Sequence, residues 1–199
     1  MPKLYFMRHG ETDWNADARL QGQHDIPLND RGRAQARRCG EIMRDLIVRA
    51  RRQADEFSFI SSPLARARDT MESVRRELGM TPDGYSLDER LLELSFGTWE
   101  GMTYADLRQR PGGGRALAER ERDKWNFVPP GGESYAQLLE RVAAWQVSLT
   151  GDAVVVAHGG VARTLFVHFG LLAPAVAPNQ DVDQGVVYDL GPGLMERYA

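Results

Sequence analysis

The sequence is poor in cysteine and in long apolar runs. Cys39 is the only cysteine among 199 residues, which excludes an intrachain disulfide framework and fits a reducing compartment. Cys39 lies in a helical pattern, and we expect a packed or surface thiol rather than a nucleophile. No stretch approaches the roughly 18 apolar residues that a membrane span needs, and the apolar run at the N-terminus is too short for a signal peptide. We therefore expect a cytoplasmic protein with no membrane partner.

An excess of positive charge is also absent. The chain has 25 lysine and arginine residues against 28 aspartate and glutamate residues, a net charge of −3. Nucleic-acid binders usually present a basic face, so we expect no nucleic-acid partner. Lysine occurs only at Lys3 and Lys124, and the other cations are arginines. Arginine is suited to bidentate recognition of phosphate, but compositional bias explains its total, so only particular arginines inform function.

Strand and helix patterns alternate along the chain. Predicted strands cover residues 4–7, 57–60, 85–87, 153–157, 185–190 and 194–198. Predicted helices cover residues 30–53, the stretch after Pro63 to about 78, then 116–124, 133–149 and 161–169. This alternation predicts an α/β three-layer sandwich with a mostly parallel central sheet and helices on both faces. The glycine- and proline-rich stretch from about 92 to 130 looks irregular otherwise. We predict a single domain over residues 1–199 with a variable insertion at about 100–130.

Histidine and arginine residues follow three of the predicted strands. Arg8 and His9 end the first strand, Arg66 follows the second, and His158 ends the strand at 153–157. Ligands of open α/β sheets bind beyond the carboxyl ends of the strands, so these four side chains are expected to converge at one edge of the sheet. Imidazole can attack phosphorus as a nucleophile, and guanidinium groups match phosphoryl oxygens bidentately.

Metal binding is the rival interpretation of paired histidines. The sequence lacks a His-Glu-x-x-His motif, a cysteine cluster and any Asp/His spacing typical of metal ligands, and two nearby arginines would repel a divalent cation. We expect neither a metal nor a cofactor, because a side-chain nucleophile and arginines can supply the chemistry.

Six segments, in order, resemble those of the histidine phosphatase superfamily, which includes the cofactor-dependent phosphoglycerate mutases. They read RHGETDWN (8–15), RLQG followed by PLNDRG (19–32), SSPLARA (61–67), LLELSFGTWEG (91–101), PGGES (130–134) and VVAHGG (155–160). One such segment alone is a weak signal, whereas six in order are a strong one. The resemblance spans about residues 3 to 165 and implies a phosphoglycerate-mutase-like fold.

The resemblance also implies roles for individual residues. His9 would be the nucleophile and would form a phosphohistidine. Arg8, Arg66 and His158 would surround the phosphoryl group and stabilise the charge that grows on its oxygens. Asn15 would add an amide donor to the same pocket. Further candidates for substrate binding are Gln21, Gly22 and Gly159.

Glu93 matches the family's proton donor. It would protonate the leaving oxygen and then deprotonate the attacking water. Three other acidic residues of the same segment are its rivals: Asp88, Glu89 and Glu100. Two further histidines are expected outside the chemistry, His24 as a surface residue and His168 as a packed or helix-end residue.

The family includes phosphatases, in which water takes the phosphoryl group, and mutases, in which a second hydroxyl takes it. Mutases carry a lysine where this chain has Tyr104, and an adjacent arginine pair in the insertion. Here the arginines of the insertion are dispersed, at positions 108, 110, 115, 120 and 122. The pattern favours a phosphomonoester hydrolase that acts on a small phosphorylated metabolite.

Two alternatives stay open. One is a phosphoglycerate mutase, and the other is a non-catalytic module that binds phosphate or a partner. Substrate specificity is expected to depend on residues of about 108–127 and 173–184, and no feature of the sequence indicates an oligomeric state.

Overall fold

The computed structural model describes residues 2–199, which contain a six-stranded sheet. Its strands are β1 (Leu4–Arg8), β2 (Ser58–Ser61), β3 (Ser86–Leu87), β4 (Ala153–Ala157), β5 (Val187–Gly191) and β6 (Leu194–Tyr198). The strand order is β3-β2-β4-β1-β5-β6. The first four strands in this order run parallel, β5 runs antiparallel to β1, and β6 antiparallel to β5. The nucleophile candidate thus follows a central strand.

Helices connect the strands. The α-helices of residues 2–199 are α1 (Asp13–Ala16), α2 (Asp30–Arg49), α3 (Ala65–Glu77), α4 (Tyr104–Gln109), α5 (Gly113–Arg122), α6 (Tyr135–Val147) and α7 (Gly159–His168). Short 3-10 turns lie at Ala54–Glu56, Glu89–Leu91, Gly97–Trp99 and Ala177–Asn179. None of the helices in this range is both long and apolar enough to cross a membrane.

Successive side chains of β4 point to opposite faces of the sheet, and an apolar core lies on each face. Val155 belongs to an apolar cluster that includes Trp145 of α6 and Leu165 of α7. Val154 and Val156 belong to a second cluster, formed with α2 and α3. All five residues of β4 are fully buried, as expected for a parallel strand with helices on both faces. The predicted fold class is therefore confirmed.

Backbone hydrogen bonds continue past the ends of the central strands. The N–H of His9 donates to the carbonyl of Ala157, and the N–H of Ser62 donates to the carbonyl of Val156. The loops after β1, β2 and β4 therefore lie side by side at one edge of the sheet. This edge is where the sequence placed its candidate residues.

Helix boundaries differ from the predictions in several places. The helix expected over 30–53 ends at Arg49, because Arg51 takes a left-handed backbone conformation with φ of 53° and reverses the chain. The helices expected at 133–149 and 161–169 run instead over Tyr135–Val147 and Gly159–His168. The third predicted strand is reduced to Ser86–Leu87.

The short helix predicted at 116–124 is present as α5 but begins three residues earlier, and a second helix, α4, was not predicted. Thr103 starts α4 through a capping box with Asp106, a strong initiation signal. Gly112, with φ of 74°, precedes α5, so the glycine run begins this helix instead of breaking it. A small apolar cluster supports both helices: Leu20, Trp99, Leu107 and Leu117.

Candidate active site

A pocket of about 130 Å³ opens at the edge where β1, β2 and β4 end. Most of the residues predicted for the site line it: Arg8, His9, Asn15, Gln21, Gly22, Arg66, Glu93 and Gly159. The remaining predicted residue, His158, is fully buried and does not line the pocket. Its ring contacts that of His9, with a distance of 5.1 Å between the two ring centroids.

His9 is held in one orientation by its own loop. Its Nδ1 lies 2.7 Å from the carbonyl oxygen of Gly10, and this carbonyl can only accept a hydrogen bond, so the proton of the neutral ring lies on Nδ1. The lone pair is then on Nε2, which lies 3.3 Å from Nε of Arg66. Burial, followed by the charges of Arg66 and Arg8, lowers the pKa of His9 well below its usual range. This Nε2 accepts a hydrogen bond from Arg66, and a neutral imidazole with an unprotonated Nε2 is a competent nucleophile.

Two arginines flank the His9 ring. Arg66 is fully buried, and its Nη1 and Nη2 donate to the carbonyls of His24 and Gly22 at 2.6 and 2.7 Å. Burial lowers the pKa of Arg66 to about 10, so the group stays charged near neutral pH. Arg8 donates from Nη1 to the carbonyl of Val182 at 2.9 Å, while its buried Nε has no partner within residues 2–199. Backbone carbonyls hold both guanidinium groups and leave their charge unneutralised, which suits an anion.

His158 is fully buried next to the His9 ring. Its Nε2 is 2.7 Å from Oγ of Ser62, and its buried Nδ1 has no partner in the described chain. Burial, then the charges of Arg66, His9 and Arg8, lowers the pKa of His158 well below its usual range. We call Arg8, His9, Arg66 and His158 together the phosphoryl site.

Glu93 is fixed against the start of α7. Its Oε1 accepts hydrogen bonds from the backbone N–H groups of Leu94 at 2.8 Å and Gly160 at 3.0 Å. A Cβ added at Gly160 would lie 2.3 Å from Oε1 of Glu93, so the absence of a side chain there permits this approach. Arg141 braces the same segment from α6, because its guanidinium donates to the carbonyls of Arg90, Leu92 and Glu93.

The acidic rivals of Glu93 lie outside the pocket lining. Asp88 is paired with Arg90 at 2.6 Å, and Glu89 is exposed. Glu100 accepts hydrogen bonds from the N–H of Phe96 and of Gln23 and thereby ties two loops together. Among these four carboxylates only Glu93 faces the pocket.

The polar residues of the first loop are also oriented by neighbours. Asn15 Oδ1 accepts from the backbone N–H of Thr12 and from Nε2 of Gln184, each at 3.2 Å. This leaves the amide NH₂ of Asn15 as the end available to a ligand. Gln21 Oε1 accepts from the hydroxyl of Thr12 at 2.9 Å. Gly22 has φ of 51°, a conformation that favours glycine, and its carbonyl holds Arg66.

Several pocket residues were not anticipated from the sequence. Arg19, Tyr135 and Arg163 line the pocket. Arg163 donates from Nε to the carbonyl of Gln180 at 2.8 Å and from Nη1 to the hydroxyl of Tyr135 at 3.4 Å. Its position was readable in principle, because residues four apart on a helix share a face and Gly159 already lined the site.

The other singled-out side chains lie apart from the chemistry. The side chain of His24 is 58% exposed, and His168 contacts Gln146 on α6. Cys39 is buried, and burial raises the pKa of its thiol to about 12, which disfavours the reactive thiolate. Residues 2–199 contain no group of three or more His, Cys, Asp or Glu side chains able to hold a metal ion.

Comparison with known proteins gives consistent results. The family model of the histidine phosphatase superfamily (branch 1) matches residues 4–192. A glucosyl-3-phosphoglycerate phosphatase of Mycolicibacterium vanbaalenii is 35% identical over 175 residues, which cover 82% of this chain and 72% of that protein. Phosphoglycerate mutase-like protein 4 of Arabidopsis thaliana is 33% identical over 171 residues, 82% of this chain and 69% of that protein.

Solved structures agree with these sequence matches. A mycobacterial glucosyl-3-phosphoglycerate phosphatase in complex with VO₃ superimposes with a TM-score of 0.75 at 29% identity, over 96% of this chain and 93% of that one. The protein TTHB049 of Thermus thermophilus gives a TM-score of 0.68 at 33% identity, over 94% and 92%. The predicted resemblance is confirmed, and the chain belongs to the histidine phosphatase superfamily, branch 1.

Proposed function

We propose that this enzyme hydrolyses phosphate monoesters of small metabolites through a phosphohistidine intermediate on His9. The observation that carries the proposal is a buried, neutral His9 whose Nε2 faces the Arg66 guanidinium at 3.3 Å. A nucleophile must keep its lone pair, and a phosphoryl group needs cationic partners. Both conditions are met around one atom. The family match and the phosphatase relatives confirm hydrolysis of phosphomonoesters as the reaction class.

The first half-reaction transfers the phosphoryl group to the protein. Arg8 and Arg66 bind its oxygens, and the amide of Asn15 adds a hydrogen bond. His9 Nε2 attacks phosphorus, the N–P bond forms, and the ester P–O bond breaks. The leaving oxygen takes a proton from the carboxyl group of Glu93. The arginine charges stabilise the oxygens of the phosphoryl group as negative charge grows on them.

The second half-reaction returns the enzyme to its starting state. A water molecule loses a proton to the Glu93 carboxylate and attacks phosphorus, and the bond between phosphorus and Nε2 breaks. Inorganic phosphate leaves, while Glu93 holds the proton for the next cycle. The hydrogen bonds of Glu93 to Leu94 and Gly160 keep the carboxyl group at the pocket wall through both steps.

This cycle uses protein side chains alone. We therefore propose activity that needs neither a metal nor a cofactor, in a cytoplasmic enzyme that works as a single domain with its insertion at about 100–130. No nucleic acid or membrane takes part in the proposed reaction.

We further propose that the leaving group of the substrate carries an acidic group. Arg163 lies in the pocket wall with carbonyl and hydroxyl partners and no carboxylate partner among the described residues. Relatives named glucosyl-3-phosphoglycerate phosphatases support such a substrate, because a phosphoglycerate contains a carboxylate. A guanidinium group is the donor that matches a carboxylate bidentately.

A mutase is the second candidate because some relatives carry mutase names. The structure offers a specific argument against it. Tyr104, at the position of the mutase lysine, packs on Arg120 with a distance of 5.2 Å from the guanidinium carbon to the ring centroid. None of the arginines of the insertion lines the pocket. A non-catalytic binding module is disfavoured by the complete set of nucleophile, arginines and acid.

The test is to trap the intermediate. Enzyme mixed with p-nitrophenyl phosphate is quenched in alkali within milliseconds, and the phosphorylated peptide is identified by mass spectrometry. We expect phosphate on His9, steady turnover in the presence of EDTA, and neither in His9→Ala. Phosphate on another residue, or activity lost to EDTA and restored by a divalent ion, would contradict the proposal. Transfer between the two phosphate positions of a glycerate without release of phosphate would favour the mutase, and phosphate binding without turnover the module.

A further inference from the structure

Ser62 is a buried serine that contacts the phosphoryl site without lining the pocket. It follows β2 directly and is fully buried, as is its neighbour Ser61. The Oγ of Ser62 lies 2.7 Å from Nε2 of His158. The Oγ of Ser61 has a different partner, because it donates to the carbonyl of Ser62 at 2.9 Å. Of these two adjacent buried hydroxyls, only that of Ser62 contacts His158.

The contact has a direction. The hydroxyl of Ser62 receives a long contact of 3.5 Å from the N–H of Leu64, and His158 Nε2 is the acceptor within reach of its proton. His158 is neutral near neutral pH, since burial and the charges of Arg66, His9 and Arg8 lower its pKa. A neutral imidazole donates from one nitrogen and accepts on the other. When Nε2 accepts from Ser62, the proton of the ring lies on Nδ1.

The nitrogen that then carries the proton is the unpaired one. His158 Nδ1 and Arg8 Nε are the two buried side-chain nitrogens that lack a partner within residues 2–199. Both belong to residues that flank His9, and the His158 ring lies 5.1 Å from the His9 ring. Buried donors without partners are rare in folded proteins. Two of them around one nucleophile indicate an anion whose oxygens would accept both hydrogen bonds.

We propose that Ser62 is a positioning residue that holds His158 as the Nδ1–H tautomer, so that Nδ1–H donates to the phosphoryl oxygens. The proposal rests on the proposed function of His9. The proton stays on Nδ1 throughout, and Ser62 forms no bond to phosphorus. Without the hydroxyl, His158 would also populate the Nε2–H tautomer. That tautomer turns the lone pair of Nδ1 toward the anion, which it would repel.

The first experiment observes the tautomer directly. Protein labelled with ¹⁵N-histidine is studied by long-range ¹H–¹⁵N NMR, and His158 is assigned with the help of variants at the other three histidines. We expect a protonated Nδ1 and an unprotonated Nε2 in the wild type, with a shift of Nδ1 when inorganic phosphate is added. Ser62→Ala should show a mixed or Nε2-protonated ring, and Ser61→Ala the wild-type pattern. A wild-type ring protonated on Nε2, or a Ser62→Ala ring unchanged from wild type, overturns the proposal.

The second experiment measures turnover of p-nitrophenyl phosphate. We expect kcat of Ser62→Ala to fall about 10- to 100-fold, the range found for partners that orient metal-binding histidines, with a smaller change in KM. Ser61→Ala is the matched control and should stay near wild type. Equal kcat values for the two variants would overturn the role of Ser62. If Ser62→Ala fails to fold, the proposal is tested by the His158 tautomer that NMR shows in the wild-type protein.

The two hypotheses fail in different ways. A wild-type enzyme that binds phosphate at Nδ1–H of His158 without turnover would contradict the proposed function and leave the tautomer assignment standing. An active enzyme in which His158 is protonated on Nε2 would contradict the tautomer assignment and leave the proposed function standing.

Discussion

The phosphoryl site and the proposed insertion at about 100–130 depend on different kinds of contact. His9, Arg66 and His158 are 2%, 0% and 0% exposed and depend on contacts between distant parts of the chain. The two helices of the insertion pack on one small apolar cluster and otherwise depend on local contacts, such as the Thr103 capping box and the Arg115–Glu119 pair one turn apart. A site made of strand ends tolerates little change, whereas locally stabilised helices can vary. The two regions should therefore differ in how much sequence change they tolerate.

Removing the nucleophile should have the largest effect. His9→Ala leaves the arginines in place but no lone pair near phosphorus, so we expect kcat for p-nitrophenyl phosphate to fall by about 10⁴-fold or more. Thermal unfolding and phosphate binding serve as controls for the fold. Residual activity within tenfold of wild type would contradict the role of His9 as nucleophile.

Loss of the proton donor should depend on the leaving group. Glu93→Gln keeps the shape of the side chain but cannot transfer a proton, so kcat for an alkyl phosphate should drop about 10²- to 10⁴-fold. Formation of the phosphoenzyme from p-nitrophenyl phosphate should be affected less, because p-nitrophenolate leaves without a proton. Glu100→Gln is the control, since Glu100 lies outside the pocket. Equal losses for both substrates in Glu93→Gln would argue against protonation of the leaving group.

The third effect concerns Arg163, the outer cation of the pocket. For a phosphomonoester with a carboxylate, such as 3-phosphoglycerate, Arg163→Met should raise KM about tenfold, the value of one charge-assisted hydrogen bond. For p-nitrophenyl phosphate, which has no second anion, KM and kcat should stay unchanged. An equal rise in KM for both substrates would show that Arg163 binds the transferred phosphoryl group and not a second anion of the substrate.

Acid should destabilise the folded protein through the two buried histidines of the phosphoryl site. The pKa values of His9 and His158 are lowered in the folded protein, so the unfolded chain takes up protons first as the pH falls below about 6.5. The free energy of unfolding should therefore decrease between pH 7.5 and 5.5, by about 1 kcal/mol for each histidine. Urea unfolding without phosphate measures this loss. His9→Ala should reduce the loss, and His24→Gln, at an exposed position, should not.

The smallest effect is expected in the insertion. Arg115→Ala breaks an exposed pair on α5, with the Arg115 side chain 87% exposed. Such a pair contributes about 0.5 kcal/mol or less, and kcat should be unchanged. A loss of activity would show that the insertion takes part in the chemistry.

The parts of the site that follow strand ends could be predicted from the sequence. The end of a buried strand such as 153–157 is visible in the sequence, because the apolar run stops there. Parallel pairing then brings the ends of such strands together. The contacts of Ser62, Arg141 and Gln184 could not be predicted, because each depends on the rotation of helices and loops that packing alone decides. His158 illustrates the limit, because the sequence indicated that it belongs to the site but not that it is fully buried and outside the pocket lining.

The start of α5 was mispredicted for a different reason. A run of glycines usually predicts that no helix forms. Gly112 nevertheless precedes α5 directly, in a backbone conformation that other residues avoid. Whether a glycine ends or starts a helix depends on the chain geometry around it, which the local sequence does not reveal.

The position of β1 in the sheet has a consequence for synthesis. Its two neighbours are β4 and β5, both near the C-terminal end of the chain. As a ribosome releases the protein from its first residue onward, the strand that leads to His9 stays without pairing partners until most of the polypeptide has emerged. Strand β1 therefore completes its pairing late, and His9 meets His158 only after β4 has emerged.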